Sequence, residues 1–169
     1  MKTLYAPWRT SYIKSLTPKR EKNKNDCVFC QNIEDTDDAK NYILKRFPRT
    51  IVILNLYPYN PGHLMVLPHE HKPDLISIDA ATRTEIIEVA TQTIELLKKT
   101  ITPDGFNTGL NLGTASGGGI PSHLHYHILP RWNGDTNFLP LLADTKVIGV
   151  DLNELYHQLK PLAEQMKLD

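Results

Sequence analysis

Residues 123–128 read His-Leu-His-Tyr-His-Ile, a strict alternation of imidazole and apolar side chains. An extended chain, with its two-residue side-chain period, sorts such a run into two chemically distinct faces. His123, His125 and His127 then line one side of a strand, and Leu124, Tyr126 and Ile128 the other. A lone histidine on a strand is usually a structural residue with its hydrogen bonds satisfied. Three in register are a different matter, because partly desolvated imidazoles disfavour one another's protonation and each demands a partner. The run therefore calls for a sheet with one covered apolar face and one face given to metal ligation or histidine chemistry.

The rest of the chain can supply that sheet. Residues 42–47, 50–56 and 63–68 are short and rich in β-branched or aromatic side chains. They are separated by Pro48 and by Tyr57-Pro58-Tyr59-Asn60-Pro61-Gly62, which marks them as antiparallel strands with tight connections. Residues 105–112 and 123–131 read as two further strands. Between Asp79 and Ile101 the period changes: Ile87, Ala90, Ile94, Leu97 and Ile101 recur at three- and four-residue steps, one apolar face of a helix. Lys98 and Lys99 favour its C-terminus through the helix dipole, and Pro103 prevents continuation. Asp151 followed by Glu154 opens a last helix carrying Leu155, Leu159, Leu162 and Met166, with Pro161 placed to kink or split it. Residues 1–26 form an N-terminal arm, with Leu4, Tyr5, Trp8, Tyr12 and Ile13 as docking anchors, followed by a solvated linker from Thr17 to Asp26. Residues 27–169 form a single domain of the α+β class: a mainly antiparallel sheet with one long helix packed on it and a C-terminal helix.

Composition narrows the class of partner. The 169 residues carry 19 Lys and Arg against 19 Asp and Glu, so there is no basic excess for general nucleic-acid binding. The run Lys19-Arg20-Glu21-Lys22-Asn23-Lys24 lacks interleaved aromatics and reads as solvated linker. With 40% apolar residues the chain is not disordered, and no apolar run approaches the ~20 residues of a membrane span. The first residues resemble no signal peptide. The expectation is a soluble cytoplasmic protein, and its two cysteines, Cys27 and Cys30, are too close together to brace a fold as a disulfide.

Cys27-Val28-Phe29-Cys30 has two readings, a redox pair or half of a zinc site. A redox pair is expected at a strand-to-helix junction in a βαβ unit, whereas here a polar linker precedes it. A structural Cys2His2 zinc site is preferred, its nitrogens drawn from His69, His71 and the alternating histidines; His63 begins a strand facing the sheet and is less suited. Six of the nine glycines fall between residues 105 and 119, and Gly117, Gly118 and Gly119 lead directly to the histidine run. Backbone N–H groups can converge on an anion in such a loop, although it lacks the Lys-Ser/Thr ending and following helix of a P-loop.

His-x-His-x-His followed by apolar residues resembles the histidine triad superfamily of nucleotide hydrolases and transferases. The resemblance runs from about Cys27 to Asn137, with Asn55, Pro61-Gly62-His63, Pro68-His69-Glu70-His71 and Asn111-Leu112-Gly113 in the family's order. Pro130-Arg131-Trp132-Asn133-Gly134-Asp135-Thr136-Asn137-Phe138, with Ala6-Pro7-Trp8-Arg9, resembles the narrower group of diadenosine tetraphosphate phosphorylases and related hydrolases.

The resemblance implies that His125 attacks the α-phosphorus of a nucleotide or dinucleoside polyphosphate and forms a nucleotidyl-histidine intermediate. His127 would hydrogen-bond the phosphate or bridging oxygen, and His63 would support the triad. Asn55 would hold ribose hydroxyls. Asn111 and the N–H groups of Gly117, Gly118 and Gly119 would stabilise the phosphate oxygens. It also implies zinc ligands Cys27, Cys30, His71 and His123, a structural site with no position left for a catalytic water, and a homodimer. Many hydrolases of the family carry Gln and then Ser or Thr at the fourth and third positions before the triad. This chain has Gly119 and Ile120, and its loop from Asn111 to His123 is one residue longer. Backbone groups would replace the missing contact, and inorganic phosphate could enter as acceptor. Two other readings stand beside this one: a metal-dependent hydrolase ligated by all three triad histidines, and a nucleotide- or zinc-binding regulatory module without catalysis.

Overall fold

Apolar residues on both faces of the strands need cover on both sides of a sheet, and the computed structural model shows that cover. It describes residues 24–137, 139–143 and 148–168, so the arm anchors Leu4, Tyr5, Trp8, Tyr12 and Ile13 lie outside the described residues. Five strands, β1 (Ile43–Arg46), β2 (Thr50–Leu54), β3 (Leu64–Pro68), β4 (Gly105–Leu110) and β5 (Tyr126–Arg131), form one antiparallel sheet in the order β1-β2-β3-β5-β4. Four helices accompany it: α1 (Val28–Glu34), α2 (Ala80–Thr100), α3 (Leu139–Leu142) and α4 (Leu152–Ala163). This is the expected α+β architecture. No helix among the described residues is long and apolar enough to cross a membrane.

Strand alternation divides the interior into two cores. Leu44, Val52, Leu54, Leu64, Val66 and Ile128 point to the side covered by α2 and α4, where they meet Ile86, Val89, Leu97, Leu155 and Leu159. Ile43, Ile51, Ile53, Met65 and Leu67 point the other way, against Cys27, Phe29 and Cys30 at the start of α1. The larger core holds the sheet to its helices; the smaller one is the floor of the site described below.

The long helix begins at Asp79, whose carboxylate accepts the Thr82 N–H at 2.6 Å, and ends beyond Lys98 and Lys99 as expected. Its buried face is rotated from the expected one. Ile86, Val89, Ala90, Thr93, Leu96 and Leu97 are buried, whereas Ile87 is 51% exposed. Two buried polar residues hid that register. Thr93 bonds back to the Val89 carbonyl, and the Glu85 carboxylate accepts the Arg49 N–H and the Thr50 hydroxyl, both at 2.8 Å, tying α2 to the start of β2. Pro161 does not split α4, which runs continuously to Ala163. It sits in the last turn, where its missing N–H removes a single intrahelical bond.

Gly62 is the tightest point of the connection between β2 and β3. Its φ is +75°, and a Cβ placed there would stand 2.5 Å from Ile101 Cδ1 and 3.2 Å from Pro130 Cγ. Gly62→Ala combines a left-handed backbone with a steric clash. It should cost about 2 kcal/mol or more, and an unchanged urea midpoint would contradict this account.

Candidate active site

The histidine run enters the sheet late. The ladder of β5 starts at Tyr126, and His123 to His125 lead into it without joining it, in place of the expected strand from 123. The Leu124 N–H donates to the Lys72 carbonyl at 2.7 Å, pinning this approach beside the segment that follows β3. The alternation survives: Leu124 and Ile128 enter the helix-covered core while the three imidazoles turn to the α1 side.

His123 and His71 are thereby brought beside the two cysteines. Sγ of Cys30 lies 3.2 Å from Nδ1 of His71 and 3.5 Å from Nδ1 of His123; Sγ of Cys27 lies 3.6 Å from the latter. The four donor atoms fall within 4.8 Å of one another. Tetrahedral zinc with thiolate and imidazole ligands holds neighbouring donors about 3.5 Å apart, so the set fits such an ion. The His123 Nε2–H donates to the Pro68 carbonyl at 2.9 Å, which leaves the Nδ1 lone pair aimed at the thiols, as a ligand requires. His69 is differently engaged: its Nε2–H donates to the Phe47 carbonyl at 2.9 Å. With His123 turned to the cysteines, the three triad histidines are divided between two sites.

His125 and His127 face a cleft of about 470 Å³. The protonation of each ring follows from its neighbours. Nδ1 of His125 donates to the His123 carbonyl at 2.8 Å, so in the neutral ring Nε2 carries a lone pair. The Tyr59 N–H donates to Nδ1 of His63 at 3.2 Å, which puts the His63 proton on Nε2. That N–H donates to Nδ1 of His127 at 2.9 Å and leaves the proton of His127 on Nε2, a donor that the Asn111 amide, 3.4 Å away, meets with its oxygen once its terminal group is turned over. The chain of tautomers thus presents one bare nitrogen and one N–H to the cleft.

All three rings are held neutral. Burial pushes His63 down to about 3, helped by repulsion from His127 and His125. Burial likewise lowers His127 to about 4, helped by His125, and lowers His125 against the opposing pull of its carbonyl partner. An unfolded histidine titrates near 6.5, so below that pH the unfolded chain takes up protons that native His63 and His127 refuse. Their contribution to stability is complete above about pH 6.5 and is lost as pH falls, towards 4 for His127 and towards 3 for His63. Ring-proton NMR should show both residues unprotonated at pH 5; a midpoint near 6.5 for either would refute the burial argument.

Around the imidazoles, Asn55, Asn111, Gly118 and Gly119 line the cleft. Asn55 sits at the end of β2, with its amide nitrogen 3.3 Å from His63 Nδ1 and its oxygen accepting the Tyr57 N–H at 2.9 Å. A Cβ on Gly118 would meet Asn111 Cβ at 3.1 Å. Gly117, with φ +84°, turns the chain towards the cleft without lining it.

Several residues of the site escaped the sequence reading. Tyr59 packs at a tilt 4.8 Å from the His63 ring and stacks 6.3 Å from that of His127. Phe29 packs its ring 5.6 Å from His123 and 5.3 Å from His125, so the residue between the cysteines also walls the cleft. Val28 and Asn32 add to that wall. The signal was available: Phe29 is the large apolar residue inside the Cys-x-x-Cys, and Val28 and Asn32 are one helical turn apart.

Comparison with known proteins gives a consistent picture. A family model described as the HIT domain matches residues 36–134. The chain is 36% identical over 150 residues to the AP-4-A phosphorylase of Mycobacterium tuberculosis, covering 88% of this chain and 77% of that one. It is 27% identical over 93 residues to the asymmetrical bis(5'-nucleosyl)-tetraphosphatase of Schizosaccharomyces pombe, covering 55% of this chain and 50% of that one. Among solved structures, a zinc-bound histidine triad family protein from Mycobacterium smegmatis superposes with a TM-score of 0.68 at 25% identity, covering 85% of this chain and 96% of that one.

Proposed function

Because the chain belongs to the histidine triad (HIT) family, we propose that it is an enzyme transferring a nucleotidyl group out of a dinucleoside polyphosphate such as diadenosine tetraphosphate. The observation that carries this reading is the tautomer chain from Tyr59 through His63 and His127, set beside a neutral His125. It aims a nucleophilic nitrogen and a hydrogen-bond donor at one cleft.

In the first step the Nε2 lone pair of His125 attacks the α-phosphorus. An N–P bond forms as the bridging P–O bond breaks, and the leaving nucleotide departs as its anion. The His127 Nε2–H donates a hydrogen bond to that oxygen as charge grows on it; no proton need move. His125 keeps its Nδ1 proton on the His123 carbonyl, and the resulting cationic ring is a good leaving group. In the second step an oxygen of inorganic phosphate or of water attacks phosphorus, the N–P bond breaks, its electron pair returns to Nε2, and water, where it is the acceptor, releases its proton to solvent. Asn111 and the N–H groups of Gly118 and Gly119 stabilise the equatorial oxygens, and Asn55 holds the ribose. Neutrality of the chain is compatible with this, since the anion is held by amides and imidazoles.

In the same reading Cys27, Cys30, His71 and His123 hold a zinc ion. With four protein ligands it supplies no activated water and acts structurally, fastening α1 to the approach of β5. Residues 27–169 act as one HIT-like domain with residues 1–26 as an arm, in a cytoplasmic homodimer; a single-chain mass on gel filtration would exclude the dimer. The acceptor is read from products. Diadenosine tetraphosphate giving ATP plus ADP only with added phosphate means phosphorolysis, and ATP plus AMP means asymmetric hydrolysis. Gly119, which offers no side chain to the phosphates, favours phosphorolysis. No cleavage under either condition would defeat the proposed activity.

A further inference from the structure

The α1 side of the cleft is apolar except for one group. Val28 and Phe29 line it from the first turn of α1, and Ile53 and Met65 line it from the sheet. Asn32 follows Phe29 by three residues, about 4.5 Å further along the helix, and shares the Val28 face. Its backbone carbonyl accepts from Arg46 Nη2 at 3.4 Å, but its side-chain amide makes no hydrogen bond with any described residue. The other two cleft asparagines differ, Asn55 being engaged with Tyr57 and His63, and Asn111 lying against His127.

We propose that the Asn32 amide pairs with the six-substituted edge of the purine bound in the cleft and, by turning over, serves adenine and guanine alike. The inference rests on the nucleotidyl-transfer reading above. With the α-phosphate at His125, the Phe29 ring 5.3 Å away begins the wall on which a base would lie. A flat ring on that wall stacks against Phe29 and the aliphatic side chains and presents its edge towards Asn32. Adenine offers an amino donor beside a ring-nitrogen acceptor; guanine offers a carbonyl acceptor beside an N–H donor. An asparagine amide matches the first pattern, and after a half-turn of its terminal torsion it matches the second. No polar neighbour on this wall fixes which way it turns, so neither base is disfavoured.

The test is internal competition in the mixed substrate adenosine–guanosine tetraphosphate, where the enzyme chooses which half to hold. Holding the adenosine half gives ADP (or AMP) with GTP, and holding the guanosine half gives GDP (or GMP) with ATP. Wild-type protein should partition within about threefold of unity. Asn32→Asp replaces a reversible amide with an acceptor-only carboxylate. Guanine, by sliding one position along its edge, offers such a carboxylate two donors, N1–H and N2–H, whereas adenine has only its amino group beside a repelling ring nitrogen, so the ratio should move at least tenfold towards guanosine products. Asn32→Leu should lower kcat/KM about tenfold or more for both halves and leave the ratio near unity. The ratio is read only from active molecules, so a misfolded fraction does not alter it. A wild-type preference above tenfold, or an Asn32→Asp ratio equal to wild type, would overturn the assignment while leaving the nucleotidyl-transfer reading intact. Failure of the wild-type protein to cleave either half would instead remove that reading and this inference with it.

Discussion

Replacing His125 with alanine is expected to reduce cleavage of diadenosine tetraphosphate by about a thousandfold or more, the scale seen when a covalent nucleophile is removed. Neither neighbouring ring can substitute. The Nδ1 of His123 faces the cysteines and its Nε2 is bonded to Pro68, while the Nδ1 of His127 accepts from His63. The fold should survive the change, because among the described residues the His125 side chain hydrogen-bonds only the carbonyl of His123, two residues away. Stability and activity therefore separate: the thermal midpoint should move by a few degrees while turnover collapses. Acid-sparing quench of the wild-type reaction should leave a nucleotidyl adduct on the peptide containing His125, absent from the variant. A His125→Ala protein with full turnover would end the covalent mechanism.

The second large effect concerns the Cys2His2 cluster. Purified protein should contain close to one zinc per chain, and Cys27→Ser/Cys30→Ser should contain none. Loss of an ion bound far more tightly than its free concentration removes several kcal/mol of stability by linkage. At 2–4 °C per kcal/mol for a chain of this size, the thermal midpoint should fall by about 10 °C or more. The loss should reach the chemistry as well, since His123, one of the four clustered donors, supplies the carbonyl that fixes the His125 tautomer, and Phe29 between the cysteines packs on both rings. A metal-free double variant with an unchanged thermal midpoint would show that the cluster carries no structural ion.

What could be read in the sequence was what depends on local period. Alternation over 123–128 marks the division between core and site, and of the three residues named by the family pattern Asn55 and Asn111 line the cleft while His63 stands behind His127. Spacing alone did not separate His69 from His71, since residues two apart on an extended segment share a face; only tertiary neighbours, the Phe47 carbonyl for one and the Cys30 thiol for the other, distinguish them. The α2 face was misjudged because Glu85 and Thr93 are buried through bonds to partners that an apolar count does not see. The effect of Pro161 was overestimated because its distance from the end of α4 sets how many bonds it removes. Asn32 is legible only through its one-turn spacing from Val28: a polar residue on a short helix near the surface looks ordinary until the cleft is assembled around it.

The two-sided sheet has a consequence for how this gene can vary. Val52 and Ile53 are adjacent codons, yet one belongs to the scaffold under the helices and the other to the floor of the cleft. The same interleaving holds for Val66 and Met65 on the neighbouring strand. Drift along either strand is therefore read by two independent selections in alternate positions, one for persistence of the folded molecule and one for what it accepts. A change at Ile53 or Met65 can reshape the cleft while the helix-covered scaffold stays still.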